Sequence, residues 1–168
     1  MPNKLFEHFW HALCESGVAS NLLAHYGIPI TESLAFGMGT GLFLLYLPFL
    51  KVDCVCGTSY RSHRGSIIKT LMKFLGVSYK MQRLDKDKTT AKAALDELLN
   101  ENIPVGIIYS VYFLDYLPEI IRFHFNVQNL LAIGRENNTY KISNPVLETS
   151  QTINYSALEN RYFRKSII

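Results

Sequence analysis

Helices precede most of the strands in this chain and the longest strands gather toward its end, and that order limits the fold more than any other feature. Apolar residues recur at helical spacing through much of the first part, whereas β-branched and aromatic runs at 105–114 and 123–133 follow later. Asn137-Asn138 then supplies a hairpin turn into Tyr140, Lys141 and Ile142, and Asn144-Pro145 breaks the pairing. Helices ahead of an antiparallel hairpin define an α+β chain.

The individual segments fit this order. Val18, Leu22 and Leu23 mark a helix over 16–25 that stops at Tyr26-Gly27, which puts Cys14 at its start. Thr31-Glu32-Ser33-Leu34 adds a helical turn before the glycine-rich stretch Gly37-Met38-Gly39-Thr40-Gly41. The run Leu42, Phe43, Leu44, Leu45, Tyr46, Leu47 reads as a buried strand, and a second strand is expected at 52–56. A helix over 66–74 ends at Gly76, a strand suits 78–84, and alanine-rich 89–100 is the clearest helix. A last short helix is expected over 156–163.

At 168 residues and 48% hydrophobic content, one domain spanning 1–168 with a sizeable core is the simplest organisation, since no repeat, low-complexity block or linker divides it. The formal charge of +3 is far from the basic excess of a phosphate-backbone binder, which argues against nucleic acid. No apolar stretch reaches the about 20 residues of a membrane-spanning helix, and the start, Met1-Pro2-Asn3-Lys4, lacks secretory-signal character. Cytoplasmic residence with reduced thiols is therefore expected. Cys14, Cys54 and Cys56 are too few and wrongly spaced for a disulfide framework or a metal site.

A cysteine at a helix start faces unpaired backbone N–H groups and the positive end of the helix dipole, the setting in which nucleophilic thiols occur. The same N–H groups can donate to an oxyanion when the sulfur attacks a carbonyl or thioester. Spacing alone leaves the plainer reading, a core-filling thiol, ahead. The glycine-rich stretch lacks the lysine and hydroxyl residue of a phosphate loop and reads as a close-packed turn. Tyr109, Tyr112, Phe113 and Tyr116 read as strand core.

A longer pattern changes that balance. It comprises Leu13-Cys14-Glu15-Ser16, Leu22-Leu23-Ala24-His25-Tyr26-Gly27, Phe36-Gly37-Met38-Gly39-Thr40-Gly41-Leu42-Phe43, Leu47-Pro48-Phe49, Gly57-Thr58-Ser59-Tyr60-Arg61, Pro104-Val105-Gly106, Phe123-His124-Phe125-Asn126 and Ile142-Ser143-Asn144-Pro145-Val146. In this order the pieces resemble the amino-terminal domain of the butirosin biosynthesis protein H family. The resemblance implies a papain-like fold with helices packed on an antiparallel sheet, and Cys14 as nucleophile facing a histidine and an acidic or amide residue on neighbouring strands. It further implies acyl transfer from an acyl-carrier-protein thioester to an amine or hydroxyl of a small molecule, in natural-product or pigment assembly. No bound cofactor is implied; phosphopantetheine enters as the substrate arm. Family members often run to about twice this length, so a partner chain could supply a second half.

The departures from the family pattern are specific. The general-base histidine is expected six residues before the glycine that ends its strand, and counting back from Gly134 this position is Gln128. An amide cannot accept a proton near neutral pH. Asn144 stands where an aspartate is usual, a milder change, since asparagine also orients such histidines. His124 is the nearest replacement; four residues from Gln128 on one strand face, it would lie about 13 Å away. His11, three residues before Cys14, is a further imidazole that could approach the thiol. Arg61 and Arg64, with His63, could hold the phosphopantetheine arm or carrier carboxylates, although a solvated loop is the commoner fate of such residues. Three functions stay open: a thioester-dependent acyltransferase, a catalytically disabled binding or scaffold subunit, and, hardest to support without a base, a cysteine peptidase or amidase.

Overall fold

The computed structural model describes residues 5–60, 63–82, 88–124, 126–154 and 166–167. Helices α1 (Cys14–His25) and α2 (Glu32–Met38) come first, then strands β1 (Leu45–Val52) and β2 (Val55–Ser59), helix α3 (Ser66–Leu75), and strand β3 (Met81–Gln82). Helix α4 (Lys88–Asn100) leads into β4 (Val105–Ser110), β5 (Val127–Glu136), β6 (Thr139–Ser143), β7 (Gln151–Asn154) and β8 (Ser166–Ile167). Among the described residues, six strands form one antiparallel sheet in the order β3-β8-β4-β5-β6-β7, while β1 and β2 pair only with each other. The fold is α+β, as the order of periodicities requires.

The sheet is buried on both faces, and β5 shows how. Leu130 and Ala132 point to one side, where Ile107, Tyr109, Tyr140 and Ile142 pack with Leu95 and Leu99 of α4. Leu131 points to the other, against Val18, Ala19, Leu22 and Leu23 of α1 and Ile68, Leu71 and Met72 of α3. Alternation of side chains along a strand makes each β5 residue belong to one layer or the other. Burying these aliphatic side chains contributes about 1.5–3 kcal/mol each before the entropy of ordering is set against it.

Local signals explain most boundaries. Thr31 caps α2 by accepting the Leu34 N–H at 3.3 Å. Gly76 ends α3 in the left-handed conformation at φ 66°, open to glycine without strain. The strand expected at 105–114 stops at Ser110 and tightens into a 3-10 turn at Val111–Phe113. The strand expected from 123 starts only at Val127, after a second 3-10 turn at Glu119–Ile121. The helix expected over 156–163 lies outside the described residues.

One expectation is overturned outright. Residues 42–47 are not a buried strand: β1 begins at Leu45, and Leu42, Phe43, Leu44, Leu45 and Tyr46 are all exposed. β1 and β2 form a hairpin turning at Asp53 and Cys54, both at positive φ (48° and 66°), the backbone of a type I′ turn. Hydrophobic run length identified a strand, but nothing in it specified which surface would cover that strand.

The glycine-rich stretch is only partly the close-packed turn expected: Gly37 and Met38 belong to α2, and the tight packing begins at Gly39. A Cβ on Gly39 would lie 2.5 Å from the Ile67 side chain and 2.8 Å from the Ala35 carbonyl oxygen, so α2 and α3 approach here because glycine permits it.

Candidate active site

Cys14 is the first residue of α1, preceded by Leu13 in extended conformation and without a side-chain cap. The first N–H groups of a helix have no partner one turn back. Here the flanking ones are taken by Glu32, whose carboxylate accepts from Ala12 N–H at 2.8 Å, Leu13 N–H at 2.7 Å and the Ser16 hydroxyl at 3.1 Å. α2 therefore fixes the start of α1, and the thiol with it.

Glu15 makes a second connection. Its Oε1 accepts the N–H groups of Ile67 at 2.9 Å and Ile68 at 3.3 Å, capping α3 in place of Gly65, which has no side chain to do so. The beginnings of α1 and α3 are thus pinned together. Between them and β5 lies a cleft of about 240 Å³, lined by Cys14, Glu15, Phe36, Arg64, Ile67 and Asn129 among others.

Asn129 is the β5 residue that meets the thiol. Its Nδ2 lies 3.7 Å from Cys14 Sγ in donating geometry, and its Oδ1 is buried with no hydrogen-bond partner among the described residues. The residue is 5% exposed, so this oxygen is a buried acceptor left unpaired beside the thiol.

Gln128, expected at this position, is on the other face. Its Oε1 is 3.4 Å from Nδ2 of Asn144, which also donates to the Tyr116 hydroxyl at 3.2 Å, in the layer next to α4. Gln128 and Asn144 meet each other, therefore, but not Cys14. Burial raises the Tyr116 phenol's pKa well above its ordinary value, opposed by the Asn144 hydrogen bond and reinforced by the charge of Asp115. The counting failed for a physical reason: pairing of β5 with β6 slips by one residue between Ala132 and Gly134, and such a bulge reverses which face later residues occupy. Because 130–132 are apolar on both faces, no alternation in the sequence marked the slip.

The other expected residues divide. His124 sits in an exposed turn before β5 rather than on it, its ring stacked on Tyr112 with centroids 3.5 Å apart. His11 is held behind α1: Nε2 is 2.9 Å from Asn21 Oδ1, and Nδ1 is 3.8 Å from Glu32 Oε2. Arg64 lines the cleft, and Arg61 lies outside the described residues. Glu15, Glu32 and Asn129 were not singled out by sequence, since their roles depend on contacts across 15 or more residues.

This arrangement, a cysteine opening the helix that packs on an antiparallel sheet, defines a papain-like cysteine domain. Solved structures share the architecture: a protein described as a C39-like peptidase from Bacillus anthracis superposes with a TM-score of 0.66 at 15% identity, covering 96% of this chain and 92% of that one. The peptidase domain of Streptococcus ComA, a bifunctional ABC transporter involved in quorum sensing, superposes with a TM-score of 0.56 at 12% identity, covering 97% and 96%. Residues 13–145 match the family described as Butirosin biosynthesis protein H, N-terminal, and the chain belongs to that family. Comparison with curated protein sequences gives no match. No helix among the described residues is long and apolar enough to cross a membrane.

Proposed function

We propose that the protein transfers an acyl group from the thioester of an acyl carrier protein, through Cys14, to an amine or hydroxyl of a small molecule in biosynthesis. The observation that carries this reading is the Cys14 sulfur on an open cleft beside an amide rather than an imidazole. Thioester exchange is the reaction such a site can best sustain. The Cys14 sulfur attacks the thioester carbon, the carrier's thiol leaves with the proton, and an acyl-enzyme remains. The acceptor then attacks that carbon, and its proton returns to the Cys14 sulfur. Both steps expel a thiol, which leaves readily, so neither needs the general acid that peptide cleavage requires. The N–H groups of the first turn of α1 suit the passing oxyanion. Asn129 holds the sulfur through its Nδ2. Arg64, at the cleft edge, suits the phosphate of a phosphopantetheine arm.

Asn129 also favours a second reading, a catalytically disabled subunit that binds and does not turn over, because no proton acceptor adjoins the sulfur among the residues described. Peptide or amide hydrolysis is the least supported of the three. Incubation with acyl-loaded carrier proteins decides between the first two by intact mass. The expected result is an acyl adduct on Cys14 that is lost in Cys14→Ala and retained when Cys54 and Cys56 are serine. A folded protein that gives no adduct across varied carriers would leave the binding role standing and remove the transferase.

A further inference from the structure

We infer, resting on the transferase reading, that Cys14 accepts a short acyl group and that the Phe36 ring, seated on Gly41, sets its length. The cleft beside the thiol, of about 240 Å³, holds about eight non-hydrogen atoms at the roughly 30 Å³ that each water-sized unit occupies in a liquid. Pockets that enclose a drug-sized ligand begin at about 300 Å³. An acyl group of about four carbons, with the thioester on which it arrives, fills such a space, and a fatty chain exceeds it. Leu13, Phe36, Ile67 and Val127 give the cleft the apolar lining that a hydrocarbon chain on Cys14 would lie against, and Phe36 is the largest of them.

The place of that ring is fixed by how α2 ends. The Gly41 N–H donates to the Phe36 carbonyl at 2.8 Å and the Thr40 N–H to the Gly37 carbonyl at 3.1 Å, the paired bonds of a Schellman motif, with Thr40 in the left-handed conformation at φ 57°. This motif folds its last residue, Gly41, back onto its first, Phe36.

Gly41 itself is not at positive φ, so its backbone does not demand glycine. The ring does. A Cβ on Gly41 would lie 2.3 Å from Cδ2 and Cε2 of Phe36 and 2.6 Å from its Cζ. The ring therefore occupies the place where any other side chain at position 41 would begin, and both residues line the cleft. A glycine that makes room for one aromatic ring at the wall of the cleft is a device for placing that ring, and with it the end of the space open to a group on Cys14.

Alkylation of Cys14 by N-butyl and N-octyl iodoacetamide tests this without calling on acyl transfer. Rates are read by intact mass with Cys54 and Cys56 replaced by serine, and are scaled to each reagent's rate with glutathione. The octyl reagent is expected to react at least about tenfold more slowly than the butyl one, the scale on which a filled apolar pocket rejects added methylenes, and Phe36→Ala to bring the two within about threefold. Equal rates in the wild type overturn the inference, as does a deficit that survives in folded Phe36→Ala. If that variant does not fold, Gly41→Ala decides, because its Cβ meets first a ring that can shift. A changed octyl-to-butyl ratio then supports the inference, and the wild-type ratio overturns it. Carrier proteins loaded with butanoyl and octanoyl groups separate the length limit from the reading beneath it. A butanoyl adduct that forms at least about tenfold faster supports both, and equal rates overturn the length limit alone. No adduct from either carrier, beside an intact iodoacetamide limit, overturns acyl transfer and keeps Phe36 as the limit on what reaches Cys14.

Discussion

The Asn129 amide donates to the Cys14 sulfur across 3.7 Å, joining an interior strand of the sheet to the first turn of α1. Its neighbour Gln128 contacts Asn144 on the opposite face. Two adjacent amides on one strand therefore have unrelated roles.

That difference is measurable. Asn129→His places an imidazole beside the thiol and is expected to raise the rate of Cys14 alkylation by iodoacetamide at least about tenfold near pH 7, short of the 10² to 10⁴ that a fully positioned base provides. Gln128→His should leave the rate unchanged. Both are measured with Cys54 and Cys56 replaced by serine, so that one thiol reports. An equal response to the two substitutions would refute the separate roles, and a response to Gln128→His alone would mean that the strand faces are assigned the wrong way round.

Glu32 holds the entry to α1 through three hydrogen bonds to one carboxylate. In Glu32→Gln the amide presents a donor toward one of the backbone donors, and the negative charge is lost. Hydrogen bonds to charged groups contribute about 1.5–3 kcal/mol, so a loss of about 2 kcal/mol in urea unfolding is expected. A change below about 0.5 kcal/mol, the range of an ordinary surface substitution, would show that the contact is incidental.

Two glycines in one motif should behave oppositely. Gly39→Ala drives a Cβ against Ile67 and two carbonyl oxygens that belong to backbone, and is expected to destabilise by about 1–3 kcal/mol. Gly37, inside α2, has nothing within 4 Å of the corresponding position, and Gly37→Ala should be neutral or stabilise by up to about 1 kcal/mol. Thermal melts of the pair provide the comparison, and equal shifts would refute the close approach of α2 and α3.

Asp96 gives stability a defined acid limb. Burial raises its pKa, but hydrogen bonds from Lys92 and Tyr140, with the charges of Lys92 and Arg135, outweigh burial and hold it below the ordinary carboxylate value. A lowered folded-state pKa stabilises fully above the unfolded value of about 3.9 and is lost as pH falls through the folded one. Asp96→Asn should therefore melt below the wild type at neutral pH, with the gap closing under about pH 4. A gap that stays constant into acid would mean that the carboxylate's charge is not what the network uses.

Much of the scaffold was legible in the residues. α1, α3 and α4 follow from apolar spacing and from the stops at Tyr26-Gly27 and Gly76, and the β5–β6 hairpin follows from Asn137-Asn138. The position of Cys14 at a helix start was equally local, because a helix boundary is set by neighbours within a turn. The family pattern pointed to the papain-like fold.

What the sequence by itself determined is α1, α3, α4 and the β5–β6 hairpin, the α+β class and the sulfur that opens the first helix, all consequences of periodicity and turn chemistry acting over a few residues. Only the tertiary structure decided which amide faces that sulfur, that Glu15 and Glu32 lock two helix starts together, and that the apolar run after Gly41 stands exposed. The reason is the same in each case. A one-residue slip in strand pairing reverses a face without altering local preference, and a contact between distant segments leaves no periodic trace in either of them.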